Sequence, residues 1–197
     1  MPRAKNHSRT SLIDDAMHCF WTNGYEATSI TTLVEATGVS RHGIYQLFDG
    51  KHDLFLTCLD TYQKTIVSPA FKAVEAKTAD CTAIRNYFEH QISLAEKIGL
   101  PGPGCLVANT MTEIAPHDPK IAECVLHHND RLQRGFQNAL TNTSPSKAPK
   151  KKINQLAEYI TINAQGLWSY SRSQSSAQPL RRYAAWLVGS VEEALAQ

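Results

Sequence analysis

The sequence predicts an all-α protein of about nine helices. Two observations carry this prediction: apolar residues recur with helical spacing along most of the 197 residues, and no strand-like alternation of useful length occurs. Glycine, proline and asparagine interrupt the pattern often enough to separate helices of ordinary length. A chain of this length buries about 70% of its unfolded surface, which allows a real hydrophobic core.

The first helix is predicted over about 9–22, with its apolar face formed by Leu12, Ile13, Ala16, Met17 and Phe20. Asn23-Gly24 ends it, because both residues tolerate the left-handed cap conformation. Later in the chain, longer helices are predicted at about 51–66, 81–98, 118–141, 153–170 and 180–196, and a short helix at about 105–115. Ser68-Pro69 must kink or restart the first of these, since proline lacks an amide donor. A polar loop is expected over 141–152.

Two short helices, capped by Ser29 and Ser40 and meeting at Gly38, lie between the first helix and the helix that Lys51 opens. Neither is long enough to be stable alone, since isolated helices under ~12 residues are marginal in water. Their apolar residues must therefore dock on the core: Ile30, Leu33, Val34, Val39, Ile44, Leu47 and Phe48. This layout is typical of a helix-turn-helix motif over about 29–48, whose second helix can lie in the major groove of DNA.

The outward face of that second helix carries side chains that suit DNA: Arg41, His42, Gly43, Tyr45 and Gln46. Arginine and glutamine read base edges through paired hydrogen bonds, while tyrosine and serine hydroxyls hold phosphates. Gly43 removes a side chain where backbone and base would come close. Four residues at helix starts flank this face: Thr28, Ser29, Ser40 and Lys51. Three basic residues add charge to an arm that can reach a groove or phosphates: Arg3, Lys5 and Arg9.

The composition limits the alternatives. Twenty lysine and arginine residues against eighteen aspartate and glutamate residues give a net charge of +2, so nucleic acid can be bound only through a local patch. Five cysteines without a Cys-x-x-Cys pair argue against a disulfide framework or zinc knuckle and suit a reducing compartment. No apolar run approaches the ~18 residues of a membrane span, and the polar N-terminus has no apolar signal core. We therefore expect a soluble cytoplasmic protein with no membrane partner and no cofactor.

Several short motifs fall in register in the N-terminal quarter: Gly24-Tyr25, Thr28-Ser29, Ala36-x-Gly38-Val39-Ser40, Ile44-Tyr45-x-x-Phe48 and Lys51-x-x-Leu54-Phe55. In these positions residues 9–56 resemble the N-terminal signature of the tetracycline-repressor (TetR) family of bacterial transcription regulators. His42 and Leu47 depart from the residues common in the family at those places, which bears on base preference. The resemblance implies a homodimer, a palindromic operator in double-stranded DNA and a small-molecule inducer.

The resemblance also implies roles for single residues. Thr28, Tyr45 and Lys51 would hold phosphates, and residues 40–46 would make the base-reading and positioning contacts. Plainer interpretations stay open: Tyr45 as a core aromatic residue, His42 as part of a solvated face, and Lys51 as a surface charge. Residues 1–50 would form the DNA-binding domain, and residues 51–197 the helical ligand-binding and dimerisation domain.

The helix predicted at 105–115 carries a polar stripe beside an apolar one. Asn109 and Glu113 lie four residues apart on it, so their side chains can meet. Two interpretations are open. In the first, residues of this helix and its neighbours line a pocket for a small ligand: Tyr87, Phe88, Cys105, Asn109, Glu113 and Trp168. In the second, Asn109 and Glu113 tie helix ends together.

Cys105 lies at the start of this helix, where the helix dipole lowers a thiol pKa and favours the reactive thiolate. It is therefore either an electrophile sensor or, as is commoner, a buried and inert cysteine. An enzyme that uses Cys105 with His117 as base is a weaker alternative, because no third orienting group follows. The neighbouring His127 and His128 do not indicate a metal site, because consecutive helical residues point ~100° apart. We expect neither a catalytic residue nor a metal ligand.

The last two helices, 153–170 and 180–196, carry the cleanest apolar stripes. Two such hairpins related by a two-fold axis would form the four-helix bundle of a homodimer. In the other interpretation, both stripes face the core of their own subunit. The prediction is a homodimeric repressor that a small molecule, in one version a thiol-reactive one, releases from its operator. The alternative is a helical small-molecule-binding protein that binds no operator.

Overall fold

The computed structural model describes residues 8–144 and 148–197. Within these ranges every regular element is helical, which confirms the predicted all-α class. The helices are α1 (Arg9–Asn23), α2 (Ile30–Thr37), α3 (Arg41–Leu47), α4 (Lys51–Tyr62), α5 (Ser68–Phe71), α6 (Cys81–Ile98), α7 (Leu106–Glu113), α8 (Pro119–Thr143), α9 (Lys150–Ser171) and α10 (Gln178–Ala196). A π-helical turn, Gln63–Val67, joins α4 and α5 into one continuous rod, and a 3-10 turn, Ala115–His117, precedes α8.

Short polar side chains set the starts of the helices that matter most for the site. The Ser29 hydroxyl oxygen accepts the Thr32 N–H at 3.0 Å, and Ser40 caps α3 in the same way. These oxygens satisfy first-turn amides that have no partner within the helix. Gly38 adopts the left-handed conformation at φ 69° and closes α2, which turns the chain directly into α3. The predicted order of short helices is therefore confirmed.

The helix that begins at Lys51 continues past the proline that was expected to kink or restart it. The helical hydrogen-bond register widens to a π turn just before Ser68-Pro69, and the Ser68 hydroxyl donates to the Gln63 carbonyl at 2.7 Å. A π turn is one of the usual ways in which a helix adapts to a disturbed hydrogen-bond ladder. The rod then runs on to Phe71.

The polar loop predicted over 141–152 is shorter than expected. Helix α8 runs to Thr143, and α9 begins at Lys150. Lysine is a good helix former, so the polarity of residues 150–152 does not prevent a helical first turn. Residues 145–147 lie outside the described part of the chain.

Two packed regions share the rod that begins at Lys51. The head, residues 8–50, packs α1 against α2 and α4, with the Phe20 and Phe55 rings edge to face at 4.9 Å between centroids. The body, residues 51–197, packs α8 on α9 and α10 on α6. Gly135 lets α8 approach the rod closely, because a Cβ there would lie 2.5 Å from a ring carbon of Phe71. The division into two domains near residue 50 stays a prediction.

Candidate functional site

The face of α3 that was expected to meet DNA lies at the surface. Ile44 and Phe48 are buried and hold the helix against the head, while Arg41, His42 and Gln46 are exposed. The Tyr45 side chain is 53% exposed, so it is not a core aromatic residue. The side chains proposed to read bases are therefore free of the core and available to a groove.

One residue of the predicted core, Leu47, is not buried. It was expected to point inward with Ile44 and Phe48, but its side chain is 44% exposed. Ile44 and Phe48 are one helical turn apart and already form the docking face. Leu47 lies at the edge of that face, beside the polar surface of α3.

Two serines lie at the starts of α2 and α3, on the exposed side of the motif. The Ser40 oxygen accepts the Gly43 N–H at 3.1 Å, and Ser29 also contacts the Thr32 hydroxyl at 2.8 Å. A serine oxygen that accepts a capping bond still carries its own O–H donor. The Ser40 hydroxyl can therefore cap α3 and bind a phosphate at the same time.

Thr28 does not have the phosphate-binding role that was predicted for it. Its side chain is fully buried, and its hydroxyl donates to the Gly24 carbonyl at 2.6 Å. Its own N–H donates to the Tyr25 carbonyl at 3.2 Å. Thr28 thus closes the turn between α1 and α2, and Ser29 beside it is the exposed cap. The sequence shows two adjacent hydroxyls, and only the turn geometry tells which one reaches the surface.

Lys51 and Gly43 have intramolecular contacts that the sequence does not reveal. The Lys51 ammonium donates to the Tyr25 carbonyl at 2.9 Å and lies 4.1 Å from the centroid of the Tyr25 ring. An ammonium has three N–H donors, so this bond leaves two for a phosphate. A Cβ at Gly43 would lie 2.8 Å from a methyl carbon of Val39. Close packing inside the motif is therefore a sufficient reason for glycine there.

The basic arm is described only in part. The Arg9 guanidinium lies 5.1 Å from the centroid of the Phe48 ring, which places it beside α3. Arg3 and Lys5 lie outside the described residues. Arg9 is thus the one member of the arm that the structure places next to the exposed helix.

Glu113 joins the head to the body. Its carboxylate accepts the N–H of Tyr25 at 3.0 Å and the N–H of Glu26 at 2.9 Å. Asn109, one turn earlier, donates its side-chain amide to the Pro103 carbonyl at 2.9 Å. Among residues 8–144 and 148–197, neither lines the cavity near Trp168, the pocket beside His128 or the groove between α9 and α10. The geometry therefore favours the tie between helix ends over the ligand-binding interpretation of Asn109 and Glu113.

A second polar tie holds the start of α4, the helix on which the head packs, against the start of α8. His52 Nε2 in α4 lies 2.7 Å from the Asp118 carboxylate, which also caps α8 by accepting the Ile121 N–H at 3.0 Å. The hydrogen bond from the Ile121 N–H, with a smaller contribution from His52, holds the pKa of Asp118 below its usual range. A third tie comes from Trp21, whose indole N–H donates to the Gly104 carbonyl at 3.0 Å. The start of α4 and the end of α1 are thus each fixed to the body.

A cavity of about 180 Å³ lies in the body beside the end of α1. Three of the residues predicted to line a ligand pocket surround it: Tyr87, Cys105 and Trp168. Phe88 does not line it, because its ring is buried behind the wall and stacks on Trp168 at 6.1 Å and Phe136 at 6.5 Å between centroids.

Most residues that line this cavity were not predicted from the sequence, among them Trp21, Tyr62 and Gln91. Gln91 lies four residues after Tyr87 on α6, so the two side chains share a helix face. This spacing could have identified Gln91 from the sequence. Trp21 and Tyr62 belong to other helices, α1 and α4, and nothing in their local pattern places them against α6. Their rings meet edge to face at 5.0 Å between centroids.

Of the two interpretations of Cys105, the structure favours the buried and inert cysteine. The thiol is buried, and burial raises its pKa although backbone amides at the start of α7 act in the opposite direction. His117, the base of the enzyme alternative, is exposed and lies beyond the other end of α7. An eight-residue helix is about 12 Å long, so the two side chains do not form a pair. Within 8–144 and 148–197, no group of three or more His, Cys, Asp or Glu residues is placed to hold a metal ion.

The apolar stripes of α9 and α10 that were predicted to form a dimer are mostly buried in their own subunit, as Ile160 and Leu187 illustrate. A second set of apolar residues is exposed on the same helices, with Ile162 64% and Trp186 61% exposed. Together with Tyr170 and Tyr183 they line an open groove of about 800 Å³ between α9 and α10. The predicted stripes therefore belong mainly to the core of their own subunit. The exposed apolar residues of α9 and α10 form a separate face on the same hairpin.

The described helices include none that is both long enough and apolar enough to cross a membrane. The finding applies to residues 8–144 and 148–197.

Comparison with known proteins agrees with the geometry of the head. The family model described as "Bacterial regulatory proteins, tetR family" matches residues 12–58. The chain is 30% identical over 192 residues to the HTH-type transcriptional repressor ComR of Escherichia coli (strain K12), covering 92% of this chain and 88% of the relative.

Two solved structures share the fold over nearly the whole chain. A cysteine mutant of the TetR family regulator CifR, complexed with 26-base-pair operator DNA, is similar with a TM-score of 0.81 at 17% identity, covering 95% of this chain and 98% of that one. A TetR-family transcriptional regulator from Streptomyces coelicolor is similar with a TM-score of 0.80 at 18% identity, covering 98% of each chain.

Proposed function

This chain belongs to the tetR family of bacterial regulatory proteins, and we propose that it represses transcription by binding operator DNA through α3. A small molecule bound in the body then releases it. The observation that carries the proposal is the exposed polar face of α3, which Ile44, Phe48 and the Ser40 cap hold rigidly outward. A helix presented in this way can enter a major groove.

The DNA contacts divide into two groups in this proposal. Arg41 and Gln46 read base edges, with His42 beside them. Ser29, Ser40, Tyr45 and Lys51 hold phosphates and fix the register of the head on the duplex. The relative CifR was solved with operator DNA, which supports the same partner class for this chain.

We propose a homodimer through the groove between α9 and α10. Its exposed residues include two tyrosines and a tryptophan, which are enriched at protein interfaces. A Cβ on Gly166 or Gly189 would meet no heavy atom within 4 Å, so a partner helix can approach closely there. A two-fold axis would place two copies of α3 one helical turn of DNA apart, ~34 Å, which implies a palindromic operator.

Release by a ligand is supported by the position of Trp21. This residue belongs to α1 of the head but lines the cavity of the body and donates to the Gly104 carbonyl. A ligand that binds better when α1 is displaced shifts the population toward heads at the wrong spacing. The ties through Glu113 and His52 carry the same displacement to the α1–α2 turn and to α4.

A non-covalent inducer is the version that the cavity supports. Cys105 lines the cavity, but its raised pKa keeps the thiol protonated at neutral pH. A thiol-reactive inducer is tested by labelling the folded Cys124→Ser variant, which removes the one cysteine that is not buried. If any buried thiol then reacts as fast as free cysteine, that result favours a thiol-reactive inducer over a non-covalent one.

The deciding experiment measures fluorescence anisotropy of labelled duplex DNA from the region upstream of the gene, with a shuffled duplex of equal length as control. We expect the upstream duplex to bind at least a hundredfold more tightly at physiological salt, because specific and non-specific affinities differ by roughly 10³–10⁷. The alternative, a helical small-molecule-binding protein without an operator, rests on the cavity alone. Equal weak binding to both duplexes would favour that alternative.

A further inference from the structure

We propose that the cavity beside Gln91 takes a small, neutral molecule with a single aromatic ring and one O–H or N–H donor. The proposal rests on the ligand-released regulator described above and names the chemical class of its ligand. It follows from four properties of the cavity: its volume, its aromatic walls, its lack of charge and one unpaired buried oxygen.

The volume sets the size of the ligand. The cavity holds about 180 Å³, and an engineered protein cavity of about 150 Å³ with apolar walls binds benzene. A single six-membered ring with one or two substituent atoms fits this space. Fused polycyclic and long-chain ligands exceed this volume and would have to project through the open side of the cavity.

The walls favour an aromatic ligand. Trp21 and Tyr62 meet edge to face on one side, and Tyr87 and Trp168 are perpendicular with centroids 6.4 Å apart on another. Aromatic rings prefer such edge-to-face or offset arrangements, which add to the energy of burial. A planar ring between them continues the same packing.

The charge of the lining excludes an ionised ligand. Of the described residues that surround the cavity, none is Asp, Glu, Lys or Arg. His128 is buried, and desolvation together with the Arg131 charge lowers its pKa to about 4, so it is neutral at pH 7. His18 is exposed and belongs to the rim. A carboxylate or ammonium would lose its hydration and gain no buried partner of opposite charge.

Gln91 supplies the polar specificity. Its side-chain oxygen Oε1 is buried and accepts no hydrogen bond from the described residues. Buried acceptors are almost always paired, so an unpaired one beside a cavity marks a place for a donor from the ligand. Oε1 itself has almost no accessible surface, so a small rotation of the Gln91 amide brings it to the cavity wall, where one O–H or N–H group on the ring satisfies it. The exposed Leu94 and Ile98 lie on the same helix at the cavity edge and form an apolar entrance.

Phenol and toluene provide a matched test, because they are equal in heavy-atom count and differ in the donor. Isothermal titration calorimetry on the full chain at neutral pH gives both dissociation constants. A purely apolar cavity favours toluene, because the phenol hydroxyl loses its bonds to water. We expect phenol to bind one per chain and more tightly than toluene. Tighter binding of toluene, or tighter binding of benzoate than of phenol, overturns the proposal without recourse to any variant.

Two glutamine variants locate the donor. Gln91→Leu removes the acceptor, so the preference for phenol over toluene should fall about tenfold, the effect of one buried hydrogen bond. Gln165→Leu is the matched control, because Gln165 also has a buried unpaired Oε1 but does not line the cavity. It should keep the preference within about twofold. An unchanged preference in Gln91→Leu, or an equal fall in Gln165→Leu, contradicts the assignment.

A cavity-filling variant checks that both ligands occupy this space. Ala95 lines the cavity on α6, and Ala95→Leu should abolish the binding of phenol and toluene together. Phenol binding that persists in this variant contradicts the proposed location. The calorimetry involves no DNA, so it decides the ligand class even where the anisotropy experiment shows no operator binding.

Discussion

Arg41 and Tyr45 lie on one short helix but offer DNA different chemistry. The Arg41 guanidinium is 3.5 Å from the Thr31 hydroxyl, which steers it along the exposed side of α2 and α3. The Tyr45 hydroxyl is a single donor on a rigid ring that is half exposed. A guanidinium distinguishes base edges, whereas a phenol hydroxyl suits a phosphate oxygen.

This difference predicts two kinds of mutant. Arg41→Ala should cost about 1–3 kcal/mol of binding and relax the preference at one operator position. Tyr45→Phe should weaken binding to every duplex by a similar factor, on the order of 1 kcal/mol. Anisotropy titrations against a set of single-base operator variants separate the two. Uniform loss in both mutants would contradict the division of roles.

His128 predicts a dependence of stability on pH. Its pKa is about 4 in the folded protein, against about 6.5 in an unfolded chain. The unfolded state therefore binds more protons below pH 6.5, so the free energy of unfolding falls as the pH drops from about 6.5 toward 4. The loss between pH 7 and pH 5 should be about 2 kcal/mol from this residue.

Urea unfolding at the two pH values measures this loss. The His128→Gln variant keeps a side chain that can bond to Gln63, which contacts His128 Nδ1 at 2.9 Å, and it cannot titrate. Its stability should change by about 2 kcal/mol less than that of the native chain over the same interval. An equal pH dependence in both proteins would show that His128 is not the source.

At the scale of helices, the connection between head and body includes a carboxylate at the end of α7. Glu113 lies at the last position of α7 and accepts two backbone N–H groups of the α1–α2 turn. A Cβ at Gly24 would lie 2.8 Å from one of its oxygens. The fit is tight enough that only glycine at residue 24 lets the carboxylate reach both amides.

Glu113→Gln should loosen this connection. The amide NH₂ group cannot accept the second N–H, so one N–H of the turn loses its protein partner; the two N–H groups are partly buried or exposed, so the cost is about 1 kcal/mol. We expect faster hydrogen exchange at the amides of Tyr25 and Glu26, and a smaller effect of ligand on DNA affinity. Glu123→Gln on α8, where the side chain is exposed, is the control. Unchanged exchange at residues 25 and 26 would count against the tie.

The sequence predicts what is local and fails where the answer depends on distant residues. The caps Ser29, Ser40 and Asp118 follow from short-range chemistry, and the structure has each of them. The partner of Glu113 is 88 residues away along the chain, and no periodic pattern encodes that distance. The same holds for Trp21 in the cavity wall. Local reasoning also allowed either Thr28 or Ser29 to face outward.

At the scale of the whole molecule, the repressor proposed here needs two heads at a fixed spacing. The buried stripes of α9 and α10 hold the body of one subunit together, and the separate exposed face between them is left for a partner. Trp186 is the largest exposed apolar side chain of that face. Its burial against a second copy would remove much of the apolar surface that the groove presents to water.

Trp186→Glu should therefore convert the dimer to a monomer. A buried carboxylate without a partner costs several kcal/mol per subunit, which exceeds the contribution of most single interface contacts. Sedimentation velocity at micromolar concentration should show about half the native mass, and operator affinity should fall with it. Leu126→Glu, at an exposed apolar position on α8 outside the groove, should leave both unchanged. A native chain that sediments as a monomer would contradict the dimer itself.

The shared position of Trp21 restricts how this protein can diverge. A change that reshapes the cavity at Trp21 to admit a different ligand also removes the indole bond to Gly104 and disturbs the seating of α1. Leu94 and Ile98, at the entrance on α6, have no such bond to the head in the described structure. Descendants that acquire new inducers should therefore vary first at these two entrance positions, while the tryptophan persists.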